Sequence, residues 1–300
     1  MKMMYHNPVL LKESVDALDI KENGIYVDVT FGGGGHSREI LSRLGKDGRL
    51  FAFDQDPDAQ DNKIDDERFV LIAENFRHIT RFLKFYRIQK VDGILADLGV
   101  SSHQFDAAER GFSTRFDADL DMRMDQKSKL SAKEIIAKYS EERLADILFL
   151  YGELRSARAL AKTIVEARQE SEIETSFQLK EVLKRHLPKA KEHKILAQIY
   201  QAIRIEVNQE LEVLKEFLNQ IPDLLTKEGR LSIISYHSLE DRLAKRFIKT
   251  GLFSGEPNKD FYGNTNEPLK KVGKLIVPTQ VEIKENNRAR SAKLRIATLK

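Results

Sequence analysis

The 300-residue chain contains no cysteine. That absence excludes disulfides, thiolate metal sites and thiol nucleophiles, and it fits a reducing compartment. The other side chains offer no metal pattern either: seven histidines are scattered and none stands in an H-E-x-x-H pair, so no protein-bound metal is expected. No apolar run approaches the roughly 20 residues that a membrane helix requires. Pro8 and Glu13 interrupt the first stretch before a secretory core could form. A cytoplasmic protein without membrane contacts is therefore expected. Charge of one sign is also scarce, since 50 Lys and Arg against 47 Asp and Glu leave +3. The charge is unevenly placed, however. Residues 284–300 carry Lys284, Arg288, Arg290, Lys293, Arg295 and Lys300 against the single acid Glu285, and this tail is either a phosphate contact or a solvated edge.

The first hundred residues alternate short apolar runs with helical patterns, the signature of a parallel sheet covered by helices. Strands are expected at Ile25–Val29, Leu50–Asp54, Phe69–Ile72 and Gly93–Asp97, with helices starting near Gly35, Pro57 and Phe76. After about residue 105 the pattern becomes helical. Ser131 and Glu134 have capping-box spacing, and apolar stripes recur at Leu144, Ile147, Leu148 and Tyr151, at Ala157, Ala161, Ile164 and Val165, and at Leu179, Val182 and Leu183. One long helix then carries Ile199, Ile203, Val207, Leu211, Leu214 and Leu218. Strand character returns at Arg230–Ser235, followed by a helix capped by Ser238 with Asp241 three residues on, and by strands at Lys274–Val277 and Ala292–Ala297. The economical fold is α/β: one doubly wound, class I (Rossmann-like) sheet formed by residues 1–105 and 200–300, with an all-helical insertion over 106–199.

Between the first strand and the first helix of the sheet stand four glycines, Gly32 to Gly35, followed by His36 and Ser37. A backbone without Cβ atoms can lie directly against a ligand. A P-loop is excluded, because the only nearby Gly-Lys pair, Gly45-Lys46, is followed by Asp47. A dinucleotide fingerprint needs a third glycine where Ser37 and Arg38 stand. S-adenosylmethionine suits the loop better, since it has no phosphate and its cationic end would sit near Asp28. Asp54, 22 residues beyond Gly32, is placed to accept hydrogen bonds from ribose hydroxyls. Phe76 either packs on the adenine or belongs to the core.

At the carboxyl end of the fourth strand stands Asp97-Leu-Gly-Val-Ser101-Ser102-His103-Gln104, on the side of an open α/β sheet where ligands bind. The lone pair of a cytosine amine is delocalised into the ring, so its attack on a sulfonium methyl needs acceptors that draw the nitrogen toward tetrahedral geometry. Asp97 and nearby carbonyls can provide them, and most of the rate would come from holding the reacting atoms in line. The missing cysteine agrees, because methylation at cytosine C5 normally proceeds through a cysteine adduct. A helix cap or turn residue is the bland alternative for Asp97.

Taken in order, several separated segments resemble the RsmH (MraW) family, bacterial methyltransferases that modify N4 of a cytidine in the decoding region of 16S ribosomal RNA. They are His6-Asn-Pro-Val-Leu-Leu11, Asp28 to Ser37, Phe53 to Pro57, Asp97 to Ser102, Glu109 to Ser113, Leu120 to Met124, Gln201 to Asn208, Ser235 to Arg242 and Arg288 to Arg295. The resemblance implies S-adenosylmethionine as cofactor, with contacts from Gly34, Gly35, His36, Asp54, Phe76, Asp97 and Gln104. It also implies that Asp97 with the Ser101-Ser102 turn lies beside the target amine, and that the helical insertion helps recognise RNA. The partner would be 16S ribosomal RNA or the small subunit, and a homodimer is left open. Departures include His103 where the family usually has proline, Gly33 for arginine, Tyr236 for phenylalanine and Asn287 for proline. Val100 cannot stack on a flipped base, which leaves Phe105, Phe112 or Tyr236 for that task. Asp121 and Arg123 either meet RNA and a partner or pair with each other. Rival readings are an amino methyltransferase for DNA or protein, a non-catalytic RNA-binding assembly protein, and a nicotinamide oxidoreductase.

Overall fold

In the computed structural model, residues 8–101, 104–105, 107–257 and 267–300 are described. The chain divides into two compact units, one of residues 1–99 with 211–300 and one of residues 100–210. The first unit holds a seven-stranded sheet whose first four strands are mostly apolar, as burial on both faces requires. Its strands are Ile25–Asp28 (β1), Arg49–Phe53 (β2), Phe69–Ile72 (β3), Val91–Asp97 (β4), Leu225–Ser235 (β5), Leu269–Ile276 (β6) and Lys293–Leu299 (β7), in the order β3-β2-β1-β4-β5-β7-β6. The first five are parallel, and β7 runs antiparallel to both β5 and β6.

Successive residues of a strand point to opposite faces, and both faces are filled. Tyr26, Leu50, Ala52 and Leu95 pack with Val15 from α1 (Leu11–Asp16) and with Ile40 and Leu41 from α2 (Gly35–Arg43). Val27, Phe51, Phe53, Ile94 and Ala96 pack with Leu83 from α3 (Ile79–Phe85) and with Leu214, Phe217, Leu218 and Ile221 from a later helix. The helices expected to start at Pro57 and Phe76 are 3-10 turns, Pro57–Asn62 and Phe76–His78, and α3 follows the second. The strand expected at 274–277 is the tail of a longer β6 that begins at Leu269. Lys270, Lys271 and Lys274 hid it, because an edge strand tolerates lysine where a central strand does not.

The second unit is helical: α4 (Ala132–Lys138), α5 (Glu141–Leu150), α6 (Ala157–Glu170), α7 (Ser176–Leu183) and α8 (Glu192–Asn208). The expected stripes supply its core, with Leu144, Ile147, Leu148, Ala161, Ile164, Leu179, Leu183, Ile199 and Ile203 all buried. Ser131 and Glu134 form the expected capping box on α4. The single long helix is two helices, α8 and α9 (Glu210–Leu224), separated at Gln209 in left-handed conformation, φ 52°. Ile199 to Val207 therefore serve the core of the second unit, and Leu214 to Leu224 serve that of the first. This break puts the second boundary at 210/211 and not at 199/200, inside α8, and the first falls at 99/100 where 105/106 was expected. After β5 come α10 (Ser238–Thr250) and, before β7, α11 (Gln280–Glu285). The cap of α10 is His237 with Glu240, one residue earlier than Ser238 with Asp241. No helix among the described residues is long and apolar enough to cross a membrane.

Candidate active site

The strand order reverses at β1, with β2 on one side and β4 on the other. Such a switch point opens a crevice at the carboxyl ends of the strands. Asp28 ends β1, Asp54 follows β2 and Asp97 ends β4, so three carboxylates converge on that edge.

Asp28 is fully buried. Ser37 Oγ donates to its Oδ2 at 2.7 Å, and the backbone N–H of Thr30 donates to Oδ1 at 3.1 Å. Its carboxylate thus lies beneath the glycine loop and braces the start of α2. Asp54 accepts the Gly32 N–H at 2.8 Å on one oxygen and the Asp56 N–H at 2.9 Å on the other. It ties the loop to the end of β2 and keeps further lone pairs for a ligand. Gly34 caps α2 at φ 74°, where a side chain would be strained. At Gly35 an added Cβ would fall 2.1 Å from the Pro8 ring, so only glycine lets that proline lie against the helix start.

Asp97 is held from three directions. The Tyr236 hydroxyl donates to its Oδ1 at 2.7 Å, its own N–H donates to Thr30 Oγ1 at 2.7 Å, and His36 Nδ1 stands 3.8 Å from its Oδ2. His36 donates from Nε2 to the Val9 carbonyl at 3.2 Å, which leaves a lone pair on Nδ1. Burial lowers the His36 pKa against the opposing pull of Asp97, so the ring is neutral near pH 7. The Asp97 side chain is 21% exposed, so part of it is open to solvent.

Asp28, Asp54 and Asp97 are each pushed up to about 6, chiefly by burial. Repulsion from Asp28 adds to the shift at the other two, which places the three acids within reach of one another. This donor set repels a pyrophosphate and suits a ligand with a cationic centre and ribose hydroxyls. It fits S-adenosylmethionine and speaks against a dinucleotide. Phe76 is half-buried with its ring edge-on to Phe217, centroids 5.3 Å apart, so it is anchored in the core while part of it stays accessible.

The remaining expected residues have their own surroundings. Ser101 and Gln104 belong to the second unit and bond each other: the Ser101 N–H donates to Gln104 Oε1 at 3.0 Å, and the Gln104 N–H to Ser101 Oγ at 3.2 Å. Ser102 and His103 lie outside the described residues. Phe112 is buried in the core of the second unit and cannot stack on a base without leaving it. Arg123 and Asp121 pair with each other through two 2.8 Å bonds. Asn208 fixes the same loop, accepting from Met124 N–H and donating to the Met122 carbonyl. The sequence did not disclose the Tyr236 hydroxyl on Asp97, the Thr30 bridge, or Glu240 accepting from the Tyr236 and His237 N–H groups. The one available signal was a tyrosine where phenylalanine was expected.

The doubly wound sheet, the glycine turn after β1 and the acids after β2 and β4 define a nucleoside-binding α/β protein of the methyltransferase class. The chain belongs to the MraW methylase family, whose profile matches residues 3–300. It is 68% identical over 295 residues to the ribosomal RNA small subunit methyltransferase H of Christiangramia forsetii, covering 98% of each chain. The enzyme of the same description from Flavobacterium johnsoniae is 67% identical, again with 98% of each chain covered. Among solved structures, a putative rRNA-methylase from Clostridium thermocellum is similar at 12% identity, 98% of each chain and a TM-score of 0.46.

Proposed function

We propose that this protein transfers a methyl group from S-adenosylmethionine to the exocyclic N4 amine of a cytidine in the decoding region of 16S ribosomal RNA, in the cytoplasm. The observation that carries the reading is Asp97, a carboxylate at the end of β4 with Oδ1 held by Tyr236 and Oδ2 unencumbered by a hydrogen bond among the described residues. Family membership and the names of the relatives agree with it.

Asp54 would hold the ribose, and the glycine loop with His36 the amino-acid end, of a cofactor whose chemistry is an electrophilic methyl on sulfonium. Asp97 accepts an N–H of the incoming amine, which withdraws the nitrogen lone pair from the ring and aims it. The same carboxylate, ionised near neutrality, can receive the proton that the amine loses. Tyr236 keeps the Asp97 carboxylate from turning while Thr30 holds its backbone, which is where positional precision contributes to rate. The second unit, residues 100–210, would recognise RNA. Phe116, Phe149 and Phe177 are exposed on it and offer faces for stacking.

The test is incubation with small-subunit RNA and methyl-labelled cofactor, followed by nucleoside mass spectrometry. N4-methylcytidine is expected, and unlabelled RNA with intact protein sinks the reading. Tyr236→Phe removes the donor that favours ionised Asp97, so the acid limb of the pH–rate profile is expected to move to higher pH, with a plateau rate within about tenfold of the parent. An unmoved acid limb would show that the hydroxyl does not act through Asp97.

A further inference from the structure

Three of the six cations of the C-terminal tail are neutralised by carboxylates. Arg295 and Lys293 lie 2.7 and 3.3 Å from the Asp241 carboxylate, and Lys300 pairs with Glu267. Burial raises the Asp241 pKa, but Arg295 and Lys293 outweigh it and hold the group below its ordinary value.

Unneutralised charge lies instead beside the tail, around a cavity of about 390 Å³ walled by α10, β6 and β7. Lys245 and Lys249, one turn apart on α10, line it together with Lys270, Lys271 and Lys274 of β6. All five are exposed, and none has an ion-pair partner among the described residues. Arg295 and Lys300 also line it, but Asp241 and Glu267 neutralise them, so the five lysines carry its net charge. Ile248, Leu269 and Ile296 are buried beneath them and give the trough an apolar floor.

Lysines on an edge strand guard against pairing with another chain, and Lys249 complements the C-terminal end of α10. Neither role explains why Lys245 and Lys249 line the same cavity as three lysines of β6. Like charges gathered around one cavity repel each other, and a polyanion laid along them relieves that repulsion. We propose that this trough binds the phosphodiester backbone of the RNA substrate, positioning the RNA on the first unit outside the site of methyl transfer. The inference rests on the RNA methyltransferase reading given above.

Salt titration of affinity for a small-subunit RNA transcript tests it, with the wild type, K270E/K271E/K274E and K245Q/K249Q compared. The triple variant is expected to bind about tenfold or more weakly at 0.1 M salt. The slope of log affinity against log salt should fall by about 2, since each lost phosphate contact removes roughly 0.7–0.9. K245Q/K249Q should lose about two-thirds as much slope. Cofactor affinity measured by calorimetry stays at the parent value in both variants and serves as the folding control. Variants that keep the parent's RNA affinity and salt slope overturn the trough while leaving the methyltransferase reading intact. Wild-type protein that does not bind the RNA overturns both. Binding to vesicles of anionic phospholipid that these substitutions abolish, with RNA affinity untouched, overturns the trough in favour of a membrane surface.

Discussion

Asp97→Asn is expected to lower the rate of methyl transfer about a thousandfold, the range typical of losing a positioned acceptor that acts in the transition state. Asparagine keeps the volume and one acceptor but loses the charge. Its amide must present either NH2 to the Tyr236 hydroxyl, which itself donates to residue 97 at 2.7 Å, or NH2 to the incoming amine. The second orientation sets donor against donor; in the first the hydroxyl must turn to accept, and the carbonyl left for the amine carries no charge. RNA affinity should change far less than rate, so single-turnover kinetics at saturating RNA is the appropriate measurement. A variant with more than a tenth of the parent's rate would remove Asp97 from the chemistry. The wild type should lose activity as pH falls through about 6, where Asp97 takes up a proton. A rate unchanged between pH 7 and pH 5 contradicts the assignment.

Asp54→Ala is expected to weaken S-adenosylmethionine binding by one to two orders of magnitude. Hydrogen bonds to a charged acceptor contribute about 1.5–3 kcal/mol, and here the same carboxylate also anchors Gly32, at 2.8 Å, and with it the turn that shapes the pocket. Calorimetry with the cofactor alone measures this without any RNA, and an affinity equal to the parent's would place the ribose elsewhere. Asp28, Asp54 and Asp97 also bear on stability. Their folded-state pKa values, pushed up to about 6, lie above the roughly 3.9 of an unfolded aspartate. Between those values the native state binds protons that the unfolded chain does not, so these groups favour the fold increasingly as pH drops through 6 toward 4. At neutral pH their ionisation opposes folding, which is characteristic of groups placed for chemistry.

The sheet was legible because its physics is local. Val27, Phe51, Phe53, Ile94 and Leu95 sit in short, nearly unbroken apolar runs, and burial on both faces leaves no other composition available. The glycine turn and the strand-end acids were legible for a related reason: glycines in succession and a carboxylate ending an apolar strand are costly unless used. The break at Gln209 was not legible. The apolar repeat runs through it without a glycine or proline, and the left-handed conformation follows from the demands of two separate cores. The edge strand β6 was shortened by its lysines, and the cap of α10 was missed because histidine is an uncommon capping residue. Tyr236 and Asp97 are 139 residues apart, and no local pattern records such a meeting.

That β5 pairs with β4 only after residues 100–210 have intervened bears on how the chain is made. During synthesis, β1 to β4 emerge well before their next neighbour exists, and the flank of β4 stays an open template for any other nascent chain. A compact insert lessens the hazard by holding its own ends nearer together than a loose loop of equal length would. Early folding of the helical unit is expected to shorten the closure that brings β5 to β4.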